Sequence, residues 1–238
     1  MGFTTVVGGA RATKPVTGIL ASDLAVGSTV KLMENGAAVE YLVVNQGKPS
    51  DSSLYDDSCD GVWLLRKECH SQRQWHTSDV DKYETSSINT WLNGSFYNFL
   101  SSVEQAIIKQ VKIPYRKNGG KNGSTQTGAN GLSCKIFLLS ICEVGVSTTS
   151  YPTDGAKLGY FNATNSFDDK RIAYYNGSPS DWWLRSMRTD YNIYPSCVDT
   201  SGSTGSELPT NSYGIRPTLI LPKTALFDKT TMLLKGVA

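Results

Sequence analysis

Long apolar runs are missing from this chain. Nowhere do roughly 18 apolar residues follow one another, so no helical membrane span and no membrane insertion is expected. An excess of charge is missing too. Basic residues number 23 against 21 acidic, and a net charge of +2 offers no long-range attraction to nucleic acid or to an anionic membrane. Nucleic acid is therefore not an expected partner. Histidine is scarce, and both copies, His70 and His76, fall in one segment. Little remains from which to build a Cys–His or Ser–His nucleophile pair. There is no GxSxG elbow and no HExxH stretch. The opening MGFTTVVGGARATKPVTG lacks a basic stretch followed by an apolar one, so no Sec signal is read there. Val6 leaves the Ser/Thr position of a myristoylation motif unfilled.

The five cysteines, Cys59, Cys69, Cys134, Cys142 and Cys197, form no CxxC pair and match no zinc spacing. An odd number without an export signal fits free thiols, behaving as small buried hydrophobes. Cys69-His70 and His76 raise a metal site, but no further cysteine or carboxylate stands at ligand spacing. The histidines are read as surface hydrogen-bonding side chains. Asp190, Asn192 and Asp199 raise calcium, without a Glu-Pro-Asn or Trp-Asn-Asp signature to support it. Asp56, Asp57, Asp168 and Asp169 read as solvated loop acids. No catalytic residue, metal or cofactor is assigned. A facing acid pair, as glycoside hydrolysis uses, stays open as the enzyme alternative.

What the chain has is turns and amphipathic aromatics: 22 glycines and 12 tyrosines. Residues 1–20 read as an N-terminal arm, 21–222 as one domain and 223–238 as a tail in which Ala225-Leu226-Phe227 docks. Val26–Leu32 alternates into a strand, Asn35-Gly36 turns it, and Val39–Val44 returns as its hairpin partner. Gly61–Arg66 reads as a buried strand. Ser86 or Ser87 caps a helix ended by Asn93-Gly94. Ser101 or Ser102 opens a second, with Val103, Ala106, Ile107 and Val111 on one face and Pro114 at its exit. Lys117–Gly131 reads as a long exposed loop, and Lys135–Leu139 as a short strand.

The stretch from Ser180 to Leu221 organises the rest. It opens on a strand, Asp181–Ser186, with one of Trp182 and Trp183 expected in the core. It closes on another, Tyr213–Leu221, that carries Gly214-Ile215-Arg216-Pro217. Arg185 and Arg216 read as buried framework. Between the strands lies a polar, Tyr-bearing middle, where contact area comes at low entropy cost. The candidate ligand contacts are Met187, Arg188, Thr189, Asp190, Tyr191, Asn192, Ile193, Tyr194, Ser196, Thr204, Ser206, Glu207, Leu208 and Thr210.

Trp-Trp-Leu-Arg-Ser at 182–186 with Gly-Ile-Arg-Pro at 214–217 resembles a domain-of-unknown-function family of Gram-positive gut bacteria and their phages. The block Ser86, Ile88, Trp91, Leu92, Asn93, Phe96 followed by Glu104-Gln105, and the unit Ser140, Glu143, Val144, resemble the same family. The resemblance implies an α+β, C-type-lectin-type fold: two helices packed on small antiparallel β-sheets with long irregular loops. It is a scaffold similar to that of formylglycine-generating enzymes and of the variable proteins of diversity-generating retroelements. The former need a cysteine pair near the C-terminus. Only Cys197 lies there, so that catalysis is not carried over. The latter diversify this closing segment. The resemblance thus implies a receptor-binding protein with a variable surface at about 187–210, at a phage tail-fibre tip or on a bacterial surface. Its partners would be a host cell-surface protein or glycan, and other virion or surface proteins through the arm, with a trimer as the expected oligomer. The alternatives are an enzyme on that scaffold or a purely structural virion domain.

Overall fold

The computed structural model describes residues 17–79 and 82–238. The arm-mediated trimer expected above rests mainly on residues 1–16, which lie outside the described residues.

Two five-stranded sheets carry the chain. The first runs Ile136–Phe137, Thr218–Leu221, Val62–Arg66, Ala37–Gln46, Thr29–Glu34, and every pairing is antiparallel. Its hairpin turns at Asn35 and Gly36, with φ of 48° and 81°, which a two-residue turn of this hand demands. The second sheet runs Thr204–Ser206, Pro195–Val198, Trp182–Met187, Ser212–Gly214, Gln72–Gln74. Here Trp182–Met187 pairs parallel with Ser212–Gly214, and the remaining pairings are antiparallel. A three-stranded sheet joins Ile19–Leu20, Ala225–Phe227 and Leu234–Val237. One cluster of buried side chains runs through both large sheets.

The described residues are mostly β, which corrects the expected α+β fold of two helices packed on small antiparallel sheets. Among the described residues the one real helix is the 13-residue stretch Ser87–Phe99, where an α turn passes through a π turn into a 3-10 turn. Ser86 caps it as expected, accepting the Asn89 amide at 3.2 Å. Asn93-Gly94 does not end it. Asn93 docks sideways instead: its Oδ1 accepts the amides of Lys135 and Ile136, and its Nδ2 donates to the Ile136 carbonyl. This satisfies the edge of the first sheet.

The second expected helix shrinks to Ser102–Ile107. Glu104 is fully buried and accepts the Met33 amide at 2.9 Å, while Val103 is exposed. The inward face is therefore not the one the apolar pattern selects. Val111 leaves the helix for a strand, Val111–Ile113, paired with Leu132–Cys134. The expected loop at 117–131 likewise holds a ribbon, Tyr115–Lys117 with Ser124–Gln126.

The strand expected at Tyr213–Leu221 belongs to both sheets. Ser212–Gly214 sits in the second and Thr218–Leu221 in the first. Its neighbour does the same, Val62–Arg66 in the first and Gln72–Gln74 in the second. The two form one antiparallel ribbon that bends between the sheets, with residues 67–69 bulging between the bond from the Arg66 amide to the Pro217 carbonyl and that from the His70 amide to the Ile215 carbonyl. Arg216 fills that bulge. Its Nε and Nη2 donate to the Arg66 and Lys67 carbonyls at 3.1 and 3.0 Å, and its guanidinium stacks 4.7 Å from the Trp182 ring. A Cβ on Gly214 would collide with the Cys69 sulfur, so the close crossing requires glycine there.

Candidate functional site

The site is built outward from Trp182–Met187, the middle strand of the second sheet, buried at all six positions. One tryptophan was expected in the core, and both are. The strand is covered on both faces, and each indole finds an acceptor: Trp182 donates to the Arg171 carbonyl and Trp183 to the Arg73 carbonyl, both at 2.9 Å.

Arg185 anchors this strand. Its five N–H donors all have partners. Nε donates to the Pro114 carbonyl (3.0 Å) and Nη1 to the Leu138 carbonyl and Glu143 Oε2 (2.8 and 2.6 Å). Nη2 donates to Glu143 Oε1 and the Asp154 carbonyl (2.7 and 2.9 Å). Glu143 also accepts the Tyr55 hydroxyl and the Ser140 amide. The Ser140-x-x-Glu143 unit and the Arg185 strand, 42 residues apart, are thus two halves of one buried ion pair. Next to it, Ser186 Oγ donates to the Asp154 carboxylate, which burial pushes up to about 6 against the pull of Arg185.

The strand then delivers the loop 188–194 to the surface. Four of the expected contacts, Arg188, Tyr191, Tyr194 and Ser206, line one open cleft of about 250 Å³. Tyr191 meets Tyr194 edge to face with ring centres 5.3 Å apart, and stays 51% exposed. The Arg188 guanidinium lies 4.8 Å from the Tyr191 ring and 6.0 Å from the Tyr151 ring. Asp190 grips it, with Nε donating to Oδ1 at 2.8 Å, and the guanidinium holds the Asp190 carboxyl below the usual carboxylate range. Thr189 ties the loop down, its amide donating to the Ser150 carbonyl and its hydroxyl to the Thr149 carbonyl. Asn192 Oδ1 accepts the Lys121 amide.

Other expected contacts lie elsewhere. Met187 and Ser196 are buried, Ser196 Oγ donating to the Ser186 carbonyl. Ile193 and Thr204 are half-buried, while Glu207 and Leu208 are exposed on the following turn. The Thr210 carbonyl accepts the Gln74 side chain, at the far edge of the sheet. Pro195–Val198 is a buried strand, so the segment 187–210 is a meander whose turns are exposed and whose middle is core. Tyr151 was missed, because no spacing sets it apart from the loop residues around it.

Acids and thiols also differ from expectation. Asp168 is buried and accepts the Asn162 amide at 3.0 Å, so it is not a solvated loop acid. Asp199 Oδ1 accepts the Ser201 and Ser203 amides of its own turn. His70 is half-buried among Trp91, Phe96 and Phe99, and burial pushes its pKa down. It is half-buried rather than on the surface, but it does hydrogen-bond as expected: its Nδ1 lies 3.1 Å from Ser71 Oγ, and His76 Nδ1 lies 2.6 Å from Ser87 Oγ. Burial pushes the Cys59, Cys142 and Cys197 thiols up to about 12, which leaves them protonated near neutral pH.

No curated protein and no solved structure matches this chain. A family model described as a domain of unknown function, DUF6273, matches residues 60–223. That span includes the ribbon that bends at Arg216, the Arg185–Glu143 pair and the cleft, and this protein belongs to the DUF6273 family.

Proposed function

We infer that this protein is a ligand-binding protein whose recognition surface is the Arg188–Tyr191–Tyr194–Ser206 cleft. The observation that carries the reading is Tyr191. It is a large aromatic side chain, 51% exposed, set edge to face against a second tyrosine and close to an arginine guanidinium, on a loop that a rigid sheet holds. Tyr and Arg are the residue types that concentrate binding energy at interfaces. Side chains here can change without disturbing the buried frame of Arg185, Glu143 and Trp182, which is what a variable surface needs.

The biological reading is receptor binding at a phage tail-fibre tip or on a bacterial surface, towards a host cell-surface protein or glycan. The likeness to diversity-generating-retroelement targets belongs to this proposal. Its test is a near-copy of the codons for 187–212 in the flanking DNA, differing only where the copy carries adenine. The binding test is a panel of whole cells and glycans, probed with the protein and with Arg188→Ala, with and without EDTA. Selective binding that weakens in Arg188→Ala supports the reading, and EDTA decides whether a metal takes part. Binding equal in parent and variant would move the site elsewhere.

A further inference from the structure

A second concavity lies at the opposite edge of the same sheet, where Gln72–Gln74 meets the start of the Ser87–Phe99 helix. Its volume is about 340 Å³, near the lower end of the ~300–1,000 Å³ typical of small-ligand sites. Its side chains are amides, hydroxyls, an indole, one isoleucine and one guanidinium, and none is acidic. The guanidinium belongs to Arg73, which lies 4.1 Å above the Trp91 ring. Among the described residues no carboxylate pairs with it and no hydrogen bond engages its side chain. Stacking on an indole fixes the plane of the fork while leaving its N–H groups free, which prepares it for a two-pronged contact with a carboxylate or sulfate.

The surroundings are equally fixed. The Arg73 carbonyl is held by the Trp183 indole at 2.9 Å. Gln74 Nε2 is spent on the Thr210 carbonyl, which leaves Oε1 as an acceptor. Ser87 is held by His76 Nδ1 at 2.6 Å. Gln72 and Ser212 complete a rim of exposed amide and hydroxyl groups, suited to the hydroxyls of a sugar ring. We propose that this groove is a second binding site, for an acidic saccharide. The anionic substituent sits on Arg73, and the ring hydroxyls sit on Gln72, Gln74 and Ser212. The site is independent of the Tyr191 cleft.

Affinity electrophoresis of the full chain tests it, in gels containing alginate (carboxylate), dextran sulfate (sulfate) or neutral dextran. The expected result is retardation by at least one polyanion and not by dextran. Arg73→Ala weakens that retardation about tenfold or more, and Arg73→Lys weakens it nearly as much because the flat fork is lost. Tyr191→Ala leaves it unchanged. Arg73 is exposed, so its variants keep the fold, which near-UV circular dichroism checks. Three results would overturn the proposal: no retardation by either polyanion at low salt, equal retardation by dextran, or a Lys117→Ala/Lys121→Ala variant losing as much as Arg73→Ala.

Discussion

Arg185 shows how much one side chain can hold. It ties three carbonyls and a carboxylate around the strand that positions the cleft, with every donor used. Removing its partner leaves a buried charge unpaired, so Glu143→Ala is expected to lower stability by about 3–5 kcal/mol in urea denaturation. An Arg185→Met/Glu143→Leu double variant is expected to recover part of that loss, because no charge remains to be desolvated. Asp154 gives a pH dependence. Its carboxyl keeps a proton up to about 6 in the folded chain, against about 3.9 when unfolded. Between those values the folded state binds more protons, so its contribution to stability falls as pH rises from about 4 to 6. Asp154→Asn removes that slope. Its stability relative to the parent is expected to rise by up to about 3 kcal/mol across the window, read from urea midpoints at several pH values. Arg185 was legible as framework in the sequence. Its partner was not, because the two lie 42 residues apart and nothing local links them.

At the scale of elements, legibility followed locality. The 29–46 hairpin was readable because alternation and Asn35-Gly36 specify it within a few residues. The helix start at Ser86 was readable for the same reason. The helix end was misread because Asn93, besides donating to the Asn89 carbonyl of its own helix, serves a distant strand edge, and the second helix because a buried carboxylate, Glu104, took the inward place. Asn93→Ala is expected to cost about 2–3 kcal/mol, since Lys135, Ile136 and their neighbours lose paired groups. Gly202 makes a comparable prediction. It has φ of 83° in the turn before Thr204–Ser206, and a Cβ there would strike the Asp168 carbonyl. Gly202→Ala is expected to destabilise by more than about 1 kcal/mol, combining the left-handed backbone with the clash, and to shift the Ser206 wall of the cleft. Thermal unfolding reads the first effect, and amide exchange along 195–206 reads the second.

Across the whole molecule, one ribbon links the two sheets, and the recognition loop hangs from the sheet whose middle strand is buried throughout. Of the fourteen candidate contacts, the structure draws Arg188, Tyr191, Tyr194 and Ser206 into one cleft, and it places Met187 and Ser196 in the core. Composition separated frame from surface only coarsely. A methionine or serine in a meander reads the same whether it faces in or out until the partner strand is known. The central claim is that the cleft recognises a ligand while the frame holds the fold. It is tested most directly by the affinity of Tyr191→Ala/Tyr194→Ala for the cells that the parent binds, measured beside its melting temperature. The account predicts a loss of about 30-fold or more, the weight of one interface hot spot, with an unchanged melting temperature. Undiminished binding by the folded double variant would contradict it.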